Sequence, residues 1–306
     1  MRRFGLRLLD VPVTAGNDPR ARLYVVDHLA PGAVIHRRIQ ISNSSRADTS
    51  IALYPAGATI AQGTFQGAGG HTRNDLSTWT SVTPDGATIA GGGQLMATVT
   101  IAVPRDAAPG EQYGVVWAEA RSAPDAAGVT EVNRVGIRLY VSVGPGGAPA
   151  ANFTIESLTA QRSAQGRPLV VASVHNTGGR ALDLSGSLDL SAGPGGLSAG
   201  PFPATLGVTL AIGDTERVTI ALDKRLPAGP WRASVTLHSG LLDRTGQATI
   251  TFPDTGSSPA VPTSSTGSRR LIFEGVGLLL LMGFAGCAVA ARQRRSRRRW
   301  SVTRYA

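Results

Sequence analysis

The chain has 306 residues, 42% of them hydrophobic and 5% aromatic, and a formal charge of +10. That charge is local: residues 1–268 hold 21 basic and 19 acidic residues, a balance of +2, whereas residues 269–306 hold nine Arg against Glu274 alone, a balance of +8. A nucleic-acid-binding body is therefore excluded on charge grounds, and with Cys287 as the only cysteine so is a small domain stapled by disulfides.

The N-terminus, MRRFGLRLLDVPV, lacks the apolar run of an export signal because Arg7 and Asp10 interrupt it. Export of the body then implies a start upstream of this sequence. From residue 4 to residue 252 the chain alternates short apolar/polar runs with Gly, Pro, Asn and Asp, and no helical stripe stands out. Strands are predicted at 22–29 (RLYVVDHL), at 34–42 (VIHRRIQIS) ending on Asn43-Ser44-Ser45, and at 50–54, stopped by Pro55-Ala56-Gly57. Residues 62–78 form the longest irregular stretch. Strands follow at 79–83, 94–103, 112–120 and 134–143, the last closed by a Gly/Pro linker at 144–149.

A second unit starts near Asn152. Its predicted strands read NFTIESLTA, PLVVASVH, ALDLSGSLDL, GVTLAIG, ERVTIAL, WRASVTLHS and QATITF. Trp231, Ala233, Val235 and Leu237 alternate with Arg232, Ser234, Thr236 and His238, the pattern of a strand with one buried face. Seven strands in about 100 residues with regular turns predict a β-sandwich. The two units echo each other: Ile41-Ser42-Asn43-Ser44 answers Val174-His175-Asn176-Thr177, and Val99-Thr100-Ile101 answers Val218-Thr219-Ile220.

The expected fold is all-β, two tandem Ig-like β-sandwich domains at 4–144 and 152–252. A Ser/Thr/Pro stalk at 253–270, a transmembrane helix at 271–291 and a basic cytoplasmic tail at 292–306 follow. The span LIFEGVGLLLLMGFAGCAVAA has 21 residues with one charge, Glu274, near its start, and about 30 Å of helix crosses a bilayer core. Arg292, Arg294, Arg295, Arg297, Arg298 and Arg299 follow it, while Arg269 and Arg270 stand on the other side. That bias places the tail in the cytoplasm against anionic inner-leaflet lipid and the body outside, in a single-pass membrane protein.

Catalytic chemistry finds little support. His28, His36, His71, His175 and His238 lack metal-ligand spacing, and no cofactor is expected. Gly196-Leu197-Ser198-Ala199-Gly200 matches a nucleophile elbow in letters, with Asp223 and His238 following, but it lies in a Gly/Pro loop instead of a strand–helix turn. Phe252-Pro253-Asp254-Thr255-Gly256 resembles a sortase sorting signal, although 14 residues separate it from the span. The loop at 62–79 is the candidate recognition surface, with Phe65, Arg73, Asn74 and Trp79 as candidate ligand-binding residues. Aromatic faces, amides and an Arg suit a sugar bearing carboxylates.

Tyr24 with Pro31-Gly32, IQISNSS at 39–45, TVTIAVPRDAAPG, QYGVVWAEA and NRVGIRLYV resemble the first domain of the WxL-interacting protein family. VVASVHNTG at 170–178, PAGPWRASV, the apolar span and the basic tail resemble its second domain and anchor. The resemblance implies a Gram-positive cell surface, a peptidoglycan-binding first domain and a second domain that binds a WxL-type surface protein, with no catalytic residues. A sortase-processed wall protein, a pilus-chaperone-like sandwich and a cell-wall hydrolase are the alternatives.

Overall fold

The computed structural model describes residues 4–12, 15–16, 18–204 and 207–265. The expected span at 271–291 and the topology residues Arg292, Arg294, Arg295, Arg297, Arg298 and Arg299 lie outside the described residues. Among those described, no helix is long and apolar enough to cross a membrane.

The first half contains β1 (Phe4–Leu8), α1 (Pro19–Leu23), β2 (Val25–Leu29), β3 (Val34–Asn43), β4 (Thr49–Ala61), β5 (Thr64–Gly67), α2 (Asp75–Trp79), β6 (Thr80–Thr83), β7 (Gly86–Ile89), β8 (Gln94–Ala102), β9 (Gly110–Arg121) and β10 (Val132–Val143). One sheet runs β1-β3-β8-β6; the other runs β2-β10-β9-β4-β5, with β7 also on β4. Their inner faces meet through Ile39, Ile41, Leu53, Val99, Ile101, Val116, Leu139 and Val141, all buried. Two short helices depart from the strand expectation. Asp18 caps α1 by accepting from Arg20 N at 2.8 Å, and Pro19 occupies its first turn, so the strand expected from residue 22 begins only at Val25. Asn74 and Ser77 form a reciprocal capping box on α2 inside the stretch expected to be irregular.

The second half contains β11 (Phe153–Arg162), β12 (Pro168–Asn176), β13 (Leu182–Ser191), β14 (Ala199–Pro203), β15 (Val208–Leu210), β16 (Thr215–Ala221), β17 (Trp231–Ser239), β18 (Leu242–Ile250), β19 (Gly256–Ser257), β20 (Val261–Pro262) and β21 (Ser264–Ser265). One sheet runs β16-β12-β11 with β19 and β20 on the far edge of β11. The other runs β14-β13-β17-β18-β21, with β15 on β13. Trp231, Ala233, Val235 and Leu237 face a core shared with Phe153, Leu158, Val170 and Leu188. The chain is thus mostly β, in two sandwiches.

The stalk expected at 253–270 differs over 256–265, where the chain folds back. Gly256 and Ser257 pair with β11, Val261 and Pro262 pair with it again, and Ser264 and Ser265 pair with β18. The physical reason is unfilled edges: the outer backbone N–H and C=O groups of β11 and then of β18 need partners, and this segment supplies them. The sorting-signal look-alike is seated in the same way. Phe252 is buried in the core, and Arg162 Nε donates to Pro253 O at 2.7 Å.

Candidate functional site

The strand β4 is long enough to change neighbours along its outer edge. It pairs with β7 over Thr49 to Ala52 and with β5 over Ala58 to Ala61, leaving a gap between. At the gap's ends Leu53 N donates to Asp85 O (2.6 Å) and Gly57 N donates to Thr72 O (2.8 Å). Pro55 lies in the middle, where it has no N–H to leave unsatisfied. The gap opens into a cleft of about 480 Å³ whose wall includes Leu53, Tyr54, Ser77 and Val82 and whose rim carries His71, Arg73, Thr78, Ser81 and Asp85. The His71 ring lies on Tyr54, with centroids 4.1 Å apart.

Beneath the cleft the outer face of the β4-β9-β10 sheet is wired together. Glu119 is almost wholly buried, yet it accepts from Tyr54 Oη (2.5 Å), Arg134 Nε (2.5 Å) and Arg121 Nε (2.6 Å). Burial works against its charge, but these hydrogen bonds outweigh it and hold the carboxyl down at about 2. Burial and the neighbouring carboxylate push the Tyr54 phenol up to about 12. Trp117 lies flat beside them with Nε1 donating to Ala68 O (2.9 Å), and a Cβ on Gly67 or Gly136 would stand 2.7 Å from its ring. Glycine at both positions is what lets the indole lie against the sheet.

The four candidate ligand-binding residues are not brought together at one site. Arg73 is exposed on the cleft rim. Asn74 is committed to structure: its side chain caps α2 and donates to Tyr113 O at 2.7 Å. Trp79 is half-buried against the first core. Phe65 is buried away from the cleft, its ring 5.2 Å from that of Tyr140 and under the Arg138 guanidinium. Ser198 and His238 are far apart as well. Ala199 pairs opposite Leu190, whereas His238 pairs opposite Ser185, a separation of roughly 17 Å at about 3.3 Å per residue. His238 is instead bonded to Asp243. Among the described residues no three His, Cys, Asp or Glu side chains gather to hold a metal.

A second constellation, which sequence reasoning missed, joins the sandwiches. The turn Gln62-Gly63 has both residues at positive φ (50° and 68°), as a two-residue hairpin requires. It carries the β4–β5 hairpin across to the second sandwich, where Thr209 N donates to Gly63 O at 2.8 Å. Asp183 of β13 then accepts from four groups. Arg20 Nε donates at 2.9 Å to one oxygen, and Arg138 Nη1 (3.0 Å), Tyr140 Oη (3.0 Å) and Thr209 Oγ1 (2.8 Å) donate to the other. Arg20 stacks on Tyr140, and Arg138 lies between Tyr24 and Phe65. Beside them Glu111 accepts from Ala181 N (2.6 Å) and Tyr113 Oη (2.8 Å). Burial pushes its carboxyl above the usual range despite these bonds. Arg20 and Asp183 lie 163 positions apart, so no local pattern announces the pair. The outward positions Arg138 and Tyr140 in NRVGIRLYV are the one sequence signal.

No protein-family model matches the sequence, and no curated protein matches it. Solved structures similar to it include the CupB2 chaperone of Pseudomonas aeruginosa, at 12% identity over 74% of this chain and 98% of that one, with a TM-score of 0.37. The CsuC–CsuE chaperone–tip adhesion subunit complex of Acinetobacter baumannii matches at 13% identity over 74% and 94%, with a TM-score of 0.39. The SafA pilin–SafB chaperone complex of Salmonella enterica matches at 8% identity over 86% and 97%, with a TM-score of 0.40.

Proposed function

We propose that this chain is a non-enzymatic binding protein of a bacterial cell surface, a rigid two-sandwich holder for a protein partner that also contacts peptidoglycan through its first sandwich. The observation that carries the reading is the junction. A carboxylate of one sandwich held by two guanidiniums and a phenol of the other fixes the angle between the sandwiches. A partner touching both then loses little affinity to hinge motion.

Peptidoglycan contact is supported by the β4–β6 cleft. Arg73, His71, Thr78 and Ser81 place donors around an aromatic and aliphatic wall, a lining that suits a hydroxyl-rich ligand with carboxylates. The apolar stretch 271–291 and its Arg-rich flank supply a single-pass anchor with the body outside. The full-length chain in detergent should be retained on purified peptidoglycan and should cross-link on cells to a WxL-type surface protein. Passage through the peptidoglycan with no more retention than an unrelated sandwich protein sinks the wall half. Absence of any surface-protein adduct sinks the partner half.

A pilus-type subunit, the kind of partner found in the CsuC–CsuE and SafA–SafB complexes, is the second reading. It is favoured by the open edge of β4 at Pro55 facing β6, which has room for an extended segment. Recovery of such a subunit with the purified chain selects it.

A further inference from the structure

The two sandwiches close the same seam in different ways. In the first, β2 runs parallel to β10 over five residue pairs, from Leu139 opposite Val25 to Val143 opposite Leu29, as the edge strand of its sheet, while β1 is an edge strand of the other. The second has no counterpart of β2, because the chain passes from β11 directly into β12. Its seam between β11 and β18 is filled from the other end of the sequence by residues 256–265.

This strap is lightly held. It makes six residue pairs, two each through β19, β20 and β21, with β11 and then with β18. Pro259 and Pro262 have no N–H to give. Between the paired steps, Ser258 N donates to Ala160 O (2.8 Å) and Thr263 N donates to Glu156 O (3.0 Å). Thr263 Oγ1 also donates to Ile155 O. Glu156 is the extra residue of a bulge in β11, where the register shifts between Ile155 and Ser157, which is why its carbonyl is free to accept there. Over residues 256–264 no side chain is fully buried: Ser258, Val261 and Thr263 are half-buried and the rest exposed. The floor beneath is core. Leu158 is fully buried, and Gly246 leaves room for Ile155 and Thr263 to meet over it.

We infer that the β11–β18 seam is a strand-acceptor site, closed in cis by residues 256–265 and able to take in their place an extended segment of a protein partner. The strap itself defines the chemistry the segment must have: a small hydroxyl residue at the Ser258 position, a β-branched apolar residue at Val261, and a β-branched hydroxyl residue at Thr263. Main-chain bonds to β11 supply the affinity and these three positions supply the selectivity. The site rests on the proposed role as a protein holder and names where that role is carried out.

The test uses the full-length chain in detergent and a fluorescein-labelled peptide of residues 254–265. Two variants bracket the wild type. Val261→Asp loosens the strap. Gln161→Cys with Ser257→Cys, in a Cys287→Ala background, locks it, since Gln161 and Ser257 are register partners. The expected result is weak binding by the wild type and at least tenfold tighter binding by Val261→Asp. The oxidised lock should not bind, and thiol reduction should restore binding. Equal binding by the oxidised and reduced lock overturns the inference, and that comparison stands even where Val261→Asp fails to fold. Light scattering that shows dimers, in which the strap of a second copy fills each seam, overturns the partner as occupant. Peptide binding without any surface partner on cells leaves the acceptor site standing and removes the proposed role; the reverse pattern removes only the site.

Discussion

Asn43 and Asn176 hold the same position in the two sandwiches. Asn43 Nδ2 donates to the carbonyls of Ala47 (2.8 Å), Ile89 (3.0 Å) and Ala90 (3.2 Å), while its Oδ1 accepts from Ser45 N (3.0 Å). Asn176 Nδ2 donates to the carbonyls of Arg180 (2.8 Å), Leu210 (3.2 Å) and Ala211 (3.0 Å), and its Oδ1 accepts from Gly178 N (2.9 Å). Each carboxamide ties the end of one strand to two separate loops, and both are buried.

Replacing either with Ala strands carbonyls that water does not reach. A buried unsatisfied group costs roughly 1–3 kcal/mol, so Asn43→Ala and Asn176→Ala should each destabilise by about 3 kcal/mol in urea unfolding. Asp at either position should be no better, since a carboxylate cannot donate. A loss below about 0.5 kcal/mol would show that the loops find other partners.

Glu119 predicts a pH dependence of definite sign. Its folded-state value is depressed to about 2, below the roughly 4.3 of a free Glu. The stability it contributes is therefore complete above about pH 4.5 and is lost as pH falls from there toward 2. Stability curves of the wild type and Glu119→Gln should differ at neutral pH and converge in acid. Parallel curves across that range would remove Glu119 as the source.

Asp183 anchors the junction, so its loss should be felt at a distance. Asp183→Ala leaves the buried Arg20 without its carboxylate, a change that costs about 3–5 kcal/mol when a buried pair is broken. The side chains here are 9% and 20% exposed, which points to the lower end. The linker at 144–149 should become protease-sensitive in the variant, while the cores, which Asp183 does not enter, keep their near-ultraviolet signal.

Arg73 and Phe65 should separate binding from stability. Arg73→Ala changes an exposed rim residue and should leave stability within about 0.5 kcal/mol while lowering retention on peptidoglycan severalfold. Phe65→Ala removes a buried ring and should cost about 3 kcal/mol with little effect on retention per folded molecule. The opposite pattern would move the wall-binding surface from the cleft to the junction.

How much of this was legible in advance depends on the range of the interaction. The turn at Pro31-Gly32, the alternation through Trp231 to Leu237 and the echo between Asn43 and Asn176 are written in neighbouring residues, because a strand's two faces repeat every second position. The short helices α1 and α2 were also written there, in Asp18-Pro19 and in Asn74 with Ser77, but five-residue helices leave no periodic stripe to find. The candidate site was legible only as a region. Residues 62–79 supply His71, Arg73 and Thr78 to the cleft rim, with Ser81 and Asp85 coming from beyond them, and the chain alone did not tell Arg73, which is exposed, from Phe65, which is buried at the junction.

The sequence by itself determined that the body is β, cysteine-free and nearly neutral, with its positive charge gathered after residue 268. These are properties of composition and of contacts a few residues long. Tertiary structure alone decided that Arg20, Arg138 and Asp183 meet, that Pro55 opens a cleft, and that residues 256–265 fold back onto β11. Each of those depends on which strand lies beside which, and strand pairing joins residues whose separation along the chain no local pattern encodes.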